Sequence, residues 1–204
     1  MKRRAVFIDR DGTVSEEVGY VNHPSRLRLF PFAADAIRML NDHGWLAILV
    51  TNQAGVARGY FSEDLVGQVH ERLRNQLEER GARIDAIYYC AHHPTVGPPP
   101  YRADCDCRKP KPGLIQRAAR DFEIDLAQSW MIGDRYGDIE LARNAGLRGA
   151  LVLTGYGLGE WEYQRDSWQT EPELVADDLA AAVREILVAP RLDYCAGDNL
   201  KVEL

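Results

Sequence analysis

No apolar run in this chain of 204 residues approaches the ~20 residues that a helix needs to cross a bilayer. No membrane association is therefore expected. The apolar stretch behind Met1-Lys2-Arg3-Arg4 is also too short for a secretory signal, and a cytoplasmic location is expected. Positive charge is in deficit, with 25 Lys and Arg against 31 Asp and Glu and a net charge of −6. Non-specific nucleic-acid binding normally wants a basic face, so no nucleic-acid partner is expected. An anionic small molecule is not excluded, because Arg58, Arg108, Lys109, Lys111 and Arg135 cluster around the polar motifs. Internal repeats and low-complexity linkers are lacking too, which removes the repeat architectures. Cysteine is scarce, at four residues. Length and pattern support a single domain over residues 1–188, followed by a tail at 189–204 with little pattern and an expected frayed end. Cys195 lies in that tail and is assigned no role.

What is present alternates. Ala5 to Ile8 is a short β-branched and aromatic run that reads as a buried strand. Residues 33–43 carry apolar positions at helical spacing and stop at Gly44. Residues 45–50 read as a second buried strand. Ser62 is suited to cap a helix with Glu63 and Asp64 in its first turn, running to about Arg80. Strands are expected at 84–89, 130–132 and 150–153, and helices at 114–122, 139–145 and 176–187. Residues 90–112 show no periodicity and hold six prolines, so they form a structured loop. Such alternation predicts an α/β domain of Rossmann-like type, a mainly parallel sheet with helices on both faces.

The strand ends carry the chemistry. The first strand ends in Asp9-Arg10-Asp11-Gly12-Thr13, the second in Thr51-Asn52 and a later one in Gly133-Asp134. Lys109 stands just before a helix in Arg108-Lys109-Pro110-Lys111-Pro112-Gly113. In open α/β sheets ligands bind outside the carboxyl ends of the strands. Two carboxylates one residue apart there can hold Mg²⁺ and divide nucleophile and acid roles between them. Asp138 reads equally as a helix-capping residue and as a carboxylate behind the metal.

Three of the four cysteines fall in the central loop, as Cys90-Ala91-His92-His93 and Cys105-Asp106-Cys107. With one histidine they make a Cys₃His set suited to tetrahedral zinc. Composition leaves His92 and His93 as equal candidates for the nitrogen ligand. Four protein ligands leave no open position for water, so this zinc is expected to be structural, stapling a loop that otherwise lacks order.

Asp9-x-Asp11-Gly12-Thr13, Thr51-Asn52, Lys109 and Gly133-Asp134-x-x-x-Asp138, in that order, resemble the four motifs of the haloacid dehalogenase superfamily of phosphatases. The resemblance spans residues 5–154. It implies that Asp9 attacks phosphorus and that Asp11 protonates the leaving alkoxide and later takes a proton from water. It implies Mg²⁺ on the Asp9 carboxylate, the Asp11 carbonyl and Asp134, with the next residue, Arg135, as a further metal residue through either its carbonyl or its side chain. Arg135 departs from the lysine often found there. The resemblance also places the Thr51 hydroxyl, the Asn52 amide and the Lys109 ammonium on the phosphoryl oxygens. Cys-x-His followed by Cys-x-Cys-Arg-Lys-Pro is similar to two phosphatase groups. One acts on D-glycero-D-manno-heptose 1,7-bisphosphate at position 7, the other on histidinol phosphate. Their pattern selects His92 as ligand beside Cys90, Cys105 and Cys107. Gly19-Tyr20-Val21, the stretch from Thr51 to Phe61 and Thr154-Gly155-Tyr156-Gly157 resemble the heptose group.

Only about 20 residues separate Thr13 from the first helix, so no large cap domain is expected and the site should be open. Specificity then falls to loops, with Gly19, Tyr20, Asn52, Gln53, Ala54 and Arg108 as substrate-binding candidates. The expected enzyme is a monomeric, Mg²⁺-dependent sugar-bisphosphate phosphatase with a structural zinc, and the resemblance implies that it serves synthesis of nucleotide-activated heptose for lipopolysaccharide core or a related glycan. The alternatives are a histidinol-phosphate phosphatase, a polynucleotide 3′-phosphatase and a non-catalytic scaffold.

Overall fold

The structure, a computed structural model, describes residues 2–188. The tail at 189–204 and Cys195 lie outside the described residues. The elements run β1 (Ala5–Ile8), α1 (Ala33–Asp42), β2 (Leu46–Asn52), α2 (Glu63–Glu78), β3 (Ala86–Cys90) and α3 (Gly113–Phe122) in the first part. They continue as β4 (Trp130–Gly133), α4 (Tyr136–Ala145), β5 (Arg148–Val152), α5 (Gly157–Tyr163), β6 (Leu174–Ala176) and α6 (Leu179–Val188). All six strands are parallel, in the order β3-β2-β1-β4-β5-β6. The order reverses between β1 and β4, and such a switch point opens a crevice at the strand ends.

Strand alternation splits the core into two layers. Val6 and Ile8 of β1 face one side with α1, α2 and α6, through residues such as Ile37, Leu73 and Val183. Ala5 and Phe7 face the other side with α3 and α4, through Ile115 and Leu141. Helices therefore cover both faces, and central strands buried on both sides read as continuous apolar runs. Ser62 Oγ accepts the Leu65 amide at 3.2 Å and starts α2 as expected.

Several boundaries move. Ile84 is buried, but the ladder of β3 begins at Ala86, because Asp85 instead caps β2 through the Ala47 amide at 2.9 Å. Helix α4 starts earlier than expected, at Tyr136. Ala176 closes β6 rather than opening the last helix, which starts at Leu179. Neither β6 nor α5 was expected: β6 is a three-residue edge strand, and α5 is short and rich in exposed side chains. Connections after β1 and β2 hold loops and one short 3₁₀ turn, with no inserted domain. No helix among the described residues is long and apolar enough to cross a membrane.

Candidate active site

The carboxyl ends of β1 and β2 and the start of α4 line one cavity of about 330 Å³, with Asp134 at the end of β4 fully buried and outside its lining. Its lining includes Asp9, Asp11, Thr51, Asn52, Lys109 and Asp138. Asp9 leaves β1 with its amide bonded to the Ile132 carbonyl at 2.9 Å, so β4 carries the strand end across the switch point. Gly12 has a φ of +82°, and a Cβ there would lie 2.1 Å from Asp134 Oδ2. Only glycine lets the turn after β1 close this tightly on the aspartate that ends β4. Thr154 Oγ1 donates to the Gly12 carbonyl at 2.6 Å, tying the end of β5 to the same turn.

Lys109 is the hub. Its ammonium lies 2.8 Å from Asp9 Oδ1 and 2.6 Å from Asp138 Oδ1, and it donates to the Val50 carbonyl at 3.2 Å. Asn52 fixes the lysine's backbone from both sides. Its Oδ1 accepts the Lys109 amide at 3.1 Å, and its Nδ2 donates to the Lys109 carbonyl at 3.3 Å. Burial opposes the ammonium charge, but Asp138 and Asp9 more than offset it and hold the Lys109 pKa above its ordinary value. Asp138 serves both roles open to it. It accepts the Arg135 amide at 3.3 Å at the start of α4, and it pairs with Lys109.

Two clusters of metal-ligating side chains occur among the described residues. The first is Asp9, Asp134 and Asp138, whose carboxylate oxygens lie within 4.8 Å of one another. Burial pushes the Asp9 carboxyl up to about 6, with Lys109 acting against it. Burial, with the charges of Asp9 and Asp138, pushes Asp134 up to about 8. One Asp134 oxygen accepts the Tyr156 amide at 2.9 Å, while buried Oδ1 has no partner. A buried carboxylate oxygen with no donor, among oxygen ligands with an excess of negative charge, fits a hard divalent cation.

The second cluster is Cys90, His92, Cys105 and Cys107. The sulfur pairs are 3.6, 3.3 and 3.2 Å apart, and His92 Nδ1 lies 3.3 Å from Cys107 Sγ. These spacings are far beyond a disulfide bond of ~2.05 Å. They approach the ~3.8 Å edge of a tetrahedron built on Zn–S bonds of ~2.3 Å. His93 turns away. Its Nε2 meets Arg58 Nη2 at 3.2 Å, and its Nδ1 accepts the Thr95 and Val96 amides at 3.2 Å each.

Gly19, Tyr20, Ala54 and Arg108 also line the cavity. Arg108 Nη1 donates to the His92 carbonyl at 3.3 Å, so the cysteine loop aims it. Gln53 differs from its neighbours: it is buried, and its Nε2 donates to Thr51 Oγ1 at 2.9 Å and Asp11 Oδ2 at 3.1 Å. It braces the site rather than lining it. The Arg135 guanidinium lies 4.2 Å from the centre of the Tyr156 ring, and its Nε donates to Glu160 Oε1 at 3.2 Å. The Arg135 carbonyl accepts the Asp138 amide at 2.9 Å. Sequence reasoning gave Arg10 no role, and it reached Glu17 and Tyr156 only as parts of a specificity loop and of a stretch that resembles the heptose group. Arg10 is buried against Asp11, while Glu17 and Tyr156 line the cavity. The signal for Arg10 was its place between the two aspartates.

The model of the HAD-hydrolase-like family matches residues 106–182. A D-glycero-D-manno-heptose-1,7-bisphosphate 7-phosphatase of Thermosynechococcus vestitus is 45% identical over 202 residues, covering 94% of this chain and all of that one. The D-glycero-beta-D-manno-heptose-1,7-bisphosphate 7-phosphatase of Haemophilus ducreyi is 45% identical over 157 residues, 76% of this chain and 86% of its own. Among solved structures, the D,D-heptose 1,7-bisphosphate phosphatase of B. bronchiseptica, complexed with magnesium and phosphate, superposes with a TM-score of 0.80. It is 32% identical and covers 90% of this chain and 98% of its own. On both sequence and fold, this chain belongs to the haloacid dehalogenase-like phosphatases, in the group of heptose-1,7-bisphosphate 7-phosphatases.

Proposed function

We propose that this chain removes the 7-phosphate of D-glycero-D-manno-heptose 1,7-bisphosphate through an aspartyl-phosphate on Asp9. The observation that carries the reading is the Asp9, Asp134 and Asp138 cluster around Lys109 at the switch point, in a chain whose full-length relative bears that name. Asp9, Asp134 and the Asp11 carbonyl would hold Mg²⁺, with Arg135 contributing at most its carbonyl, since its side chain is engaged by Glu160 and Tyr156. When bound, Mg²⁺ offsets the repulsion between an attacking carboxylate and an anionic phosphate.

The chain's own residues then divide the work. Asp9 forms a bond to phosphorus as the bond from phosphorus to the sugar oxygen breaks. Asp11 donates a proton to that oxygen, and later accepts one from the water that splits the acyl phosphate. Thr51, the Asn52 amide and Lys109 bind the phosphoryl oxygens, whose charge spreads in the transition state. Gly19, Tyr20, Ala54 and Arg108 contact the rest of the substrate, and Gln53 holds Thr51 and Asp11 in register. Cys90, His92, Cys105 and Cys107 would hold a structural Zn²⁺ that orders the loop carrying Arg108 and Lys109. We read the chain as a cytoplasmic monomer acting on a small molecule, with no nucleic-acid or membrane partner. Its place would be in nucleotide-activated heptose synthesis for lipopolysaccharide core or a related glycan. The names of the relatives favour heptose bisphosphate over histidinol phosphate.

Phosphate release should be compared on heptose 1,7-bisphosphate, histidinol phosphate and a 3′-phosphorylated oligonucleotide. The first should exceed the others in kcat/KM by about 100-fold or more, at least the discrimination that pocket shape alone supplies. Comparable rates on histidinol phosphate would overturn the assignment of substrate.

A further inference from the structure

Arg10 sits between the two motif aspartates and is 1% exposed. Its guanidinium meets Asp11 edge to edge, with Nε donating to Oδ1 at 3.0 Å and Nη2 to Oδ2 at 2.7 Å. Nη2 also donates to Gln53 Oε1 at 3.0 Å. Together with the Gln53 Nε2 bond to Asp11 Oδ2, this closes a ring of three side chains. Nη1 is directed elsewhere, toward His70 Nε2 at 3.3 Å.

His70 lies on α2, outside the cavity lining, and is 7% exposed. A guanidinium carries donors and no acceptor, so Nε2 must offer its lone pair and the ring must keep its proton on Nδ1. Burial, reinforced by the Arg10 charge, pushes the His70 pKa down to about 3, which keeps that lone pair free at neutral pH. The ring is itself held in place. Tyr89 packs against it edge-on at 5.5 Å, and the Tyr89 hydroxyl donates to Glu63 at 3.2 Å. Removing the acceptor would leave a buried N–H of Arg10 unsatisfied. The guanidinium would then turn to find another partner, and Asp11 is the group it would drag along.

We propose that His70 is a positioning residue for the acid–base carboxylate. Its Nε2 fixes the Arg10 guanidinium, and Arg10 with Gln53 fixes the direction in which Asp11 faces the leaving oxygen. The inference rests on the phosphatase reading above. Asp11 has both oxygens bonded by Arg10 and Gln53, yet its side chain remains 19% exposed and lines the cavity, so the bonds that fix it leave it facing the substrate space. Proton transfer falls off steeply with small errors in such placement.

Leaving groups separate this role from a merely structural one. A sugar alkoxide must be protonated as it departs, whereas p-nitrophenolate departs without a proton. His70→Leu removes the acceptor and roughly keeps the volume, and His70→Gln restores an acceptor oxygen. In His70→Leu, kcat on the sugar bisphosphate should fall by about 10-fold, a part of what acid–base catalysis supplies. KM should stay close to that of the parent. The pre-steady-state burst of p-nitrophenol from p-nitrophenyl phosphate should keep its parent rate, and His70→Gln should recover most of the lost kcat. Equal loss on both substrates, no loss on either, or no recovery in His70→Gln would overturn the proposal. Should His70→Leu fail to fold, His70→Asn serves in its place. Its amide is too short to reach Nη1, so it should show the same selective loss, and parent-like kcat there would also overturn the proposal. A parent protein inactive on every phosphate ester would instead overturn the phosphatase reading, and this inference with it. An active parent with insensitive variants sinks the inference alone.

Discussion

At the scale of single residues, the two motif aspartates are in different surroundings, and that difference sets what each can do. Asp9 is buried beside Lys109 and Asp138, with its pKa raised to about 6, while Asp11 is clasped by Arg10 and Gln53. Asp9→Asn should lose turnover entirely, because an amide does not attack phosphorus. Asp11→Asn should lower kcat by roughly 10²–10⁴-fold, the usual worth of acid–base catalysis. An Asp11→Asn effect confined to KM would reassign that residue. Asp134 gives a pH prediction. Its carboxyl is pushed up to about 8 by burial and by Asp9, itself raised to about 6. In the unfolded chain both titrate near ~4. The metal-free fold therefore retains protons that the unfolded chain has lost, and its stability falls as pH rises from ~4 toward the folded values. A cation must displace a proton from nearly every Asp134 at pH 6 but from only about half of them at pH 8, where Asp134 stands at its own pKa. Mg²⁺ should thus raise Tm in calorimetry more at pH 8 than at pH 6; equal shifts would mean that Asp134 is not a ligand. Asp9, Asp134 and Lys109 were legible in the sequence because strand ends and a pre-helix loop place them locally. Arg10 and His70 were not, because their pairing spans 60 residues and no local pattern signals it.

At the scale of elements, the loop after β3 is where local sequence and long-range structure meet. Its lack of periodicity and its cysteine spacing were visible, but its contacts were not. The Cys90 carbonyl accepts the Gln53 amide at 2.7 Å, and a Cβ at Gly97 would lie 2.1 Å from the Ala57 carbonyl. The cysteine loop therefore rests on the loop that follows β2. Metal analysis of the purified protein should find about one zinc per chain, retained under EDTA dialysis that strips Mg²⁺. Cys105→Ser or Cys107→Ser should lose the zinc and melt earlier, since a structural site contributes folding energy directly. Three titratable thiols in native, active protein would contradict the zinc. The elements that sequence reasoning missed share a cause. Edge strand β6 is too short for any alternation to show, and α5 presents Leu158 and Tyr163 outward at 48% and 84% exposure, so its apolar spacing marks no core face. Yet α5 matters to the site. Glu160 accepts the Tyr136 amide at 2.6 Å and Arg135 Nε at 3.2 Å, fixing the start of α4 beside Asp138.

At the scale of the whole molecule, alternating strand and helix patterns made a parallel α/β sheet legible. The order β3-β2-β1-β4-β5-β6 was not, because neighbour relations such as β1 beside β4 join segments more than 120 residues apart. That order decides function, since it brings Asp9 and Asp134 to one crevice with Lys109 between Asp9 and Asp138. Among the described residues the fold adds loops but no inserted domain over this crevice, which leaves it open on one side. A substrate with a phosphate at each end can enter either way round, and something must choose. Gly19, Tyr20 and Ala54 line the same cavity as Asp9, and a primary phosphate on a flexible arm is the end suited to reach the nucleophile past them. Arg108 lines the cavity half-buried, with Nη1 held by the His92 carbonyl and its other N–H groups available to an anion. The anomeric phosphate is therefore expected to lie outward against Arg108, and phosphorus NMR of the product should show the 7-phosphate lost and the 1-phosphate retained. Arg108→Ala should lower kcat/KM for the bisphosphate by roughly 10-fold or more, the worth of one charge-assisted contact. It should change little for p-nitrophenyl phosphate, which has no second anion to hold. An equal loss on both substrates would place Arg108 on the reacting phosphate, and the choice of end would then have to come from the Tyr20 side of the cavity.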